Sequence, residues 1–266
     1  MTFWLIVLAS NLIVGALVGL TGVAGFLLPI VYTGPLGLEV TEGLALSFAA
    51  FIVSGALGAW NYQKAGNLDV PFGIRLSVGS LAGAILGVRL NLIIPEQRVK
   101  TLLYVVVLLS GISILLRKEN GRKAGNEKAA GEGKKEQKER QKKGWNISEH
   151  LFATLLLGFL TGAVCALSGA GGPVLVMPLL VVLGIPIRTA VGVALFNSIF
   201  IGIPACVGYL TQCSLTKLLP VLAAALVSHA AGVTFGSKNA VRINQTVLKK
   251  GIAVFSILIA VWRLFL

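Results

Sequence analysis

The sequence predicts an all-α polytopic membrane protein made of two inverted repeats of about five membrane segments each. Of the 266 residues, 56% are hydrophobic and only 12% are charged, and the mean hydropathy is +0.87. A chain of this composition cannot hide its apolar surface in one soluble core, so we expect an integral, multi-pass membrane protein. A glycine-rich stretch that occurs twice divides the chain into two related halves.

The glycine-rich stretch reads LTGVAGF at residues 20–26 and LSGAGGP at residues 167–173, so the two copies lie 147 residues apart. Glycine at this density lets the backbone leave helical geometry, which a membrane tolerates only where protein or water satisfies the freed amides. Two such breaks predict short, broken helices around a cavity near the bilayer midplane. At offsets of 147 and then 149 the alignment continues through Tyr62 with Tyr209, Gly83 with Gly232, and Gly87 with Gly236. The glycine pairs have small-xxx-small spacing, for which close helix packing is the expected role.

Ten apolar runs follow one another along the chain, five on each side of a basic segment. They lie roughly at 3–20, 24–38, 43–62, 72–92, 99–116, 150–167, 173–186, 190–210, 217–236 and 247–266. A complete crossing needs about 20 apolar residues, so the second and seventh runs are expected to be half-helices or re-entrant turns. The number of crossings is therefore expected to be eight to ten. The first run has no basic segment or cleavage site before it, so we expect a retained helix.

The basic segment at 117–149 is predicted to be a flexible cytoplasmic linker between the membrane repeats at 1–116 and 150–266. Residues 117–143 hold 11 of the 23 Lys and Arg residues together with five glutamates. The segment has hardly an apolar residue, so it cannot bury enough surface to offset its ordering entropy. Because the excess positive charge belongs to this one segment, it does not indicate a nucleic-acid partner. The partners expected are the lipid bilayer and a small anion, and a homodimer stays open.

The remaining charges favour the inverted five-plus-five arrangement when the linker is placed in the cytoplasm by the positive-inside rule. In that arrangement seven cations join the linker on the cytoplasmic side and five lie outside, whereas four crossings per half would give four inside and eight outside. The seven are Lys64, Arg75, Arg188, Lys238, Arg242, Lys249 and Lys250, and the five are Arg89, Arg98, Lys100, Lys217 and Arg263. A bacterial inner membrane is the expected location.

Substrate contacts are expected at the two breaks and on the third run of each half. An anion in a low-dielectric cavity needs donors that replace its water, and helix N-termini supply unpaired amides with partial positive charge. The expected contacts are Thr21, Gly22, Gly25, Ser168, Gly169, Gly171 and Gly172 at the breaks, and Ser47, Ser54, Asn197 and Ser198 on the third runs. Close packing is the competing explanation for the glycines, and interhelical hydrogen bonding for Asn197.

Two ionisable residues are further candidates. His229 is expected at membrane depth, where it could carry a coupling proton, although a neutral structural histidine explains it equally well. Arg89 near a helix end could attract anions, or snorkel to the interface. The sequence places no Asp or Glu at membrane depth, which leaves facilitated diffusion, coupling through His229, or the substrate's own proton. Three scattered cysteines, Cys165, Cys206 and Cys213, make neither a disulfide framework nor a metal site, and we expect no cofactor or metal.

The order of these features resembles the sulfite exporter TauE/SafE family of bacterial and plant permeases. The features are the glycine-rich stretches running to Pro29 and Pro178, a third helix that ends in a Tyr-containing turn, and the Gly-x-x-x-Gly pattern. The resemblance implies export or uptake of small anions such as sulfite, sulfoacetate, other organosulfonates or carboxylates. The first copy departs from the family's triple-glycine pattern, because Val23-Ala24 stands where the second copy has Ala170-Gly171.

Three other functions stay open from the residues alone. An ion channel would use similar donors along a continuous pore. A substrate-free membrane scaffold would explain the small-residue packing but not the paired breaks. An intramembrane serine hydrolase would pair Ser168 with His229, but the other copy of the motif has a threonine at the serine position. We therefore expect a transporter rather than an enzyme.

Overall fold

A computed structural model describes residues 2–22, 24–116 and 150–239, with Val254, Ile257, Leu258 and Val261 of the last run, which are helical. The described residues 2–116 and 150–239 form nine α-helices and one short 3₁₀ turn, Ala24–Phe26. In chain order the helices are α1 Thr2–Thr21, α2 Leu27–Thr33, α3 Val40–Lys64, α4 Val70–Ile93, α5 Glu96–Leu116, α6 Leu151–Ser168, α7 Gly172–Val182, α8 Ile187–Leu210 and α9 Leu215–Asn239. The predicted linker and most of the tenth run lie outside the described residues.

Six of these helices are long and apolar enough to cross a bilayer: α1, α3, α4, α6, α8 and α9. The second and seventh apolar runs become α2, with 7 residues, and α7, with 11 residues. At about 1.5 Å per residue neither can span a hydrocarbon core of about 30 Å. The expectation that these two runs form short helices is confirmed, whereas the eight to ten crossings stay a prediction.

Local sequence explains where several helices begin and end. Glu39 and Glu42 form a reciprocal capping box at the start of α3, which satisfies amides that have no partner in the first turn. The Asp69 carboxylate accepts a hydrogen bond of 3.1 Å from the Phe72 amide at the start of α4. Gly169 ends α6 with a φ of 74°, in the left-handed region that glycine enters without strain.

The two halves of the chain interlock rather than lie side by side. The most extensive contacts pair α4 with α6, α1 with α9, and α3 with α8, followed by α4 with α8 and α3 with α9. By position in their halves, α1, α3 and α4 correspond to α6, α8 and α9. The contact of α4 with α6 is therefore matched by that of α1 with α9, and the contact of α4 with α8 by that of α3 with α9. The two halves therefore contact each other through matched pairs of helices.

Glycines bring the paired helices into backbone contact. A Cβ atom on Gly79, Gly83 or Gly87 of α4 would overlap backbone carbonyls of α6, and one on Gly158 or Gly162 of α6 would overlap those of α4. The α1–α9 seam repeats this arrangement with Gly15, Gly19, Gly232 and Gly236. Small residues let membrane helices approach this closely, so the packing role expected for the Gly-x-x-x-Gly patterns is confirmed.

The same contacts give the helix directions. Helix α4 runs parallel to α6, and α1 runs parallel to α9. In both pairs, glycines farther along one helix contact residues farther along the partner helix. Helix α8 is antiparallel to α3, since Gly202 meets Phe48 while Gly192 meets Tyr62. We call the side where α6 begins the linker side, where α3 also ends and α4 and α8 begin. The far side holds the starts of α1, α3 and α9 and the ends of α4 and α8.

Candidate functional site

A narrow cavity lies where the two glycine-rich breaks meet the middle of α3 and α8. Its free space holds about one water molecule. The first break contributes Gly22 and Gly25, and the second contributes Ala170, Gly171, Pro173 and Val174. Val18 of α1, Phe51 and Ser54 of α3 and Ser198 of α8 complete the lining. Residues that are 147 positions apart in sequence therefore face one space.

Backbone geometry that only glycine adopts easily builds both breaks. Gly22 and Gly169, which occupy the same position in the two copies, have φ values of 77° and 74°. Gly171 has a φ of 78° and a ψ of 151°, a combination almost restricted to glycine. It precedes α7, so the amides of the first turn of α7 begin at the cavity.

The Phe51 ring separates the two breaks at the centre of the cavity. A Cβ atom on Gly25 would lie 2.7 Å from Phe51 Cε1, and one on Gly171 would lie 3.0 Å from Phe51 Cε2. Phe51 occupies the position in its half that Ser198 occupies in the other. The Ser198 hydroxyl donates to the carbonyl of Leu195 at 2.7 Å and is 3.5 Å from the Phe51 carbonyl. The cavity therefore has an aromatic wall facing a hydroxyl wall.

The cavity lining carries no charged side chain. Its polar side-chain groups are the hydroxyls of Ser54 and Ser198. Each donates a hydrogen bond to the carbonyl three residues earlier on its own helix. The first-turn amides of α7 add a positive partial charge, which is equivalent to about half an elementary charge at a helix N-terminus. Such a cavity suits a small solute that accepts hydrogen bonds and carries at most a low negative charge.

Two equivalent contacts lie on either side of the cavity along α3 and α8, and we name them for the role proposed below. Toward the far side, a Cβ atom on Gly169 would overlap Leu44 of α3. Toward the linker side, a Cβ atom on Gly22 would lie 2.7 Å from Val191 Cγ1 of α8. Leu44 and Val191 are also 147 residues apart. We call these contacts the far gate (Leu44–Gly169) and the linker gate (Val191–Gly22).

A larger cavity, of about 270 Å³, lies on the far side. Its lining includes Glu39 and Thr41 at the start of α3 and Asn91 at the end of α4. The Asn91 side chain donates a hydrogen bond of 2.6 Å to the carbonyl of Leu167, just before the second break. Leu44 stands one turn beyond Thr41 on α3, so this cavity, which we call the far vestibule, lies about one helical turn from the far gate.

A family model described as sulfite exporter TauE/SafE matches residues 4–263. The chain belongs to the TauE/SafE family. A "probable membrane transporter protein" of Haemophilus influenzae is 26% identical to it over 281 aligned positions, which cover 98% of this chain and 97% of that protein. The "probable membrane transporter protein YdhB" of Bacillus subtilis is 22% identical, covering 93% of this chain and 95% of the relative. No solved structure matches the chain.

Membership of a transporter family confirms the family expected from the sequence and an integral, multi-pass membrane protein. Of the predicted contacts, Gly22, Gly25, Gly171, Ser198 and the third-run Ser54 line the central cavity. Gly169 forms the far gate, and a Cβ atom on Gly172 would lie 3.1 Å from Ser198 Cβ, directly beside the cavity.

Three other predicted contacts, Ser47, Ser168 and Asn197, do not line the cavity. The Ser47 hydroxyl donates to the Gly43 carbonyl, and the Ser168 hydroxyl donates to the Val164 carbonyl, each at 2.7 Å. Asn197 is fully buried, outside the cavity lining, and neither its Nδ2 nor its Oδ1 has a hydrogen-bond partner. The Thr21 side chain lies outside the described part of the chain.

His229 and Arg89 also lie apart from the central cavity. His229 is fully buried where α9 packs on α1, and its ring lies next to the Asn11 backbone. At the offset of 149 its counterpart is Ser80, whose hydroxyl donates to the carbonyl of Gly158 at 3.0 Å. Arg89 is exposed near the far-side end of α4.

Sequence reasoning missed the apolar part of the lining, above all Phe51. Aromatic and aliphatic residues inside membrane helices are so common that they carry no signal of a binding site. The offset of 147 was the available clue, because it places Phe51 opposite Ser198, which the polar pattern did select.

Proposed function

We propose that this TauE/SafE protein is a permease that carries a small, singly charged anion across a bacterial inner membrane. The substrate class is a sulfur oxyanion such as hydrogensulfite, or a small organosulfonate, in keeping with the family's description. The observation that carries the proposal is the convergence of both glycine-rich breaks on one uncharged cavity lined by Ser54 and Ser198.

The chemistry of the cavity favours an anion of low charge. The first turn of α7 brings the positive partial charge of a helix N-terminus, and the two serines offer hydroxyls that can turn toward a ligand. No fixed cation in the lining would neutralise a second negative charge, which is costly to bury. Sulfite gains a proton near neutral pH, so its singly charged form is available, and that proton would travel with it.

Inverted repeats of about five segments each are the architecture that we propose for the membrane domain, with eight to ten crossings. The exchange of roles in the helix contacts supports a two-fold relation between the halves. The opposite directions of α3 and α8 support the inverted sense. An inverted pair of repeats gives two conformations that mirror each other, as alternating access requires.

The two gates fit such a cycle. Both are closed here, and the free space in the cavity holds about one water molecule, so this conformation corresponds to an occluded state. Moving Leu44 away from Gly169 would open the cavity to the far vestibule. Moving Val191 away from Gly22 would open it to the linker side. Rocking of one repeat against the other would alternate the two movements.

The test is sulfite flux in proteoliposomes that contain the purified protein. We expect saturable uptake and stimulation by sulfite on the opposite side, which a channel would not show. Gly171→Leu should reduce the flux at least tenfold, because the side chain would enter the cavity against Phe51. Gly184→Leu is the matched control, since Gly184 also has a positive φ of 90° but a Cβ atom there meets nothing within 4 Å. Normal flux in the folded Gly171 variant would refute the site.

A further inference from the structure

We propose that Arg188 draws anions to the linker-side mouth of the pathway, and that the equivalent position at the far-side mouth, Thr41, has no such cation. This inference rests on the proposed function, since it takes the two gates as the ends of the substrate's path. It adds a residue that the cavity itself does not contain, and it makes the two sides of the carrier inequivalent.

The far-side mouth is acidic at the start of α3. Glu39 lines the far vestibule, and Glu42 caps the same helix. Cys213 is half-buried in the turn after α8. Burial raises the pKa of its thiol above the ordinary value, and the nearby carboxylates of Glu42 and Glu39 raise it further. An anion that enters the far vestibule along α3 therefore passes the Glu39 carboxylate.

The linker-side mouth has a cation where the far side has a hydroxyl. Helices α3 and α8 begin at equivalent residues, Val40 and Ile187, 147 positions apart. Thr41, which lines the far vestibule one turn before Leu44, is thereby equivalent to Arg188, one turn before Val191. Arg188 is exposed and acts electrostatically on Tyr62 of α3, which packs on α8 near its start.

Helix stability does not explain the arginine. A cation in the first turn of a helix opposes the helix dipole, and α8 has no acidic residue in that turn to compensate. Glu39 and Glu42, by contrast, are explained by capping of α3. The arginine therefore costs α8 some stability, and the reason for its position lies outside the helix itself.

The other charged residues that the structure describes either lie farther from the gates along their helices or have interaction partners. On the linker side, Asp69 caps α4, Lys64 lies 5.0 Å from the Trp60 ring centroid, and Lys238 is at the end of α9. Arg75 on the same side also has an interaction partner. On the far side the exposed cations are Arg89, Arg98 and Lys217. None of these occupies the position one turn outside a gate residue, as Arg188 does.

The first experiment measures the charge at each mouth with thiol reagents and needs no transport. The probes are an anionic methanethiosulfonate, with a sulfonatoethyl group, and a cationic one, with a trimethylammonioethyl group. Native Cys213 reports the far side, and Thr189→Cys in a Cys213→Ser background reports the linker side. We expect the anionic-to-cationic rate ratio to be higher at position 189 than at Cys213.

Arg188→Gln should lower the ratio at position 189 about fivefold, the effect of one unit charge roughly 8 Å away in a water-like dielectric. Arg188→Lys should retain the ratio, and Lys238→Gln, which removes a charge from the same side, should change it less than twofold. The difference should vanish at about 1 M salt, where the Debye length is about 3 Å. An unchanged ratio in Arg188→Gln at low salt would overturn the proposal.

The second experiment separates this inference from the proposed function. In oriented proteoliposomes at low salt, Arg188→Gln should raise the KM for sulfite about threefold from the linker side only, leaving the far-side KM unchanged. Sulfite flux with an unchanged linker-side KM would refute the role of Arg188 and leave the permease intact. Absence of sulfite flux in the wild type, with the expected thiol rate ratios, would refute the proposed substrate and support the charge at the mouth.

Discussion

Replacing Phe51 with alanine should widen the range of anions that the protein carries. The ring contacts both breaks and forms the apolar wall of the central cavity, so its removal enlarges the space in which a substrate must fit. In Phe51→Ala we expect the flux of a bulky sulfonate such as benzenesulfonate, relative to sulfite, to rise at least tenfold. A tenfold change corresponds to about 1.4 kcal/mol of reduced steric cost.

The same substitution should lower stability by an amount that can be worked out. Removing the ring frees a volume on the order of 100 Å³, and at about 24 cal/mol per Å³ the cavity costs about 2.4 kcal/mol. The edge-to-face contact with Phe48, with centroids 5.5 Å apart, contributes about 0.5–1.5 kcal/mol more. Thermal unfolding in detergent should therefore show a lowered Tm for Phe51→Ala.

Phe48→Ala is the matched control for this prediction. The substitution removes the same aromatic pair and also the stacked contact of Phe48 with Tyr209, whose ring centroids are 5.9 Å apart. Phe48 does not line the cavity. It should be at least as destabilised as Phe51→Ala while keeping the wild-type ratio of benzenesulfonate to sulfite flux. An unchanged ratio in folded Phe51→Ala, or an equal rise in Phe48→Ala, would refute the assignment of the Phe51 ring as a size filter.

Three further predictions follow from the helix packing and from the charge pattern. Gly83→Leu should prevent close contact of α4 with α6 and abolish the folded protein, as judged by gel filtration, whereas Ala82→Leu on the exposed face should be tolerated. His229→Ser should keep saturable sulfite flux, because Ser80, at the equivalent position of the first half, hydrogen-bonds to the helix that it faces. If the wild-type flux depends on a proton gradient and the flux of the variant does not, His229 would instead be the coupling group. Trypsin should cleave within residues 117–149 in inside-out vesicles but not in intact spheroplasts, and the reverse result would overturn the predicted topology.

The sequence by itself determined the class of protein, most helix positions and the place of the breaks. Hydropathy requires a bilayer whatever the tertiary arrangement, and a run of about 20 apolar residues is long enough to cross it. The lengths of the second and seventh runs indicated short helices, as α2 and α7 are. The glycines of the breaks were recognisable because backbone conformations with positive φ leave few alternatives to glycine.

Only the tertiary structure decided which residues share the cavity. Ser47 and Ser54 lie on nearly the same face of one helix and look alike in sequence, yet only Ser54 lines the cavity, because the two serines are separated by about two helical turns along the helix axis. The role of Phe51 was also hidden, since an apolar side chain acquires a specific function only from what it packs against. The gates depend on contacts between distant segments, Leu44 with Gly169 and Val191 with Gly22, which no local pattern encodes.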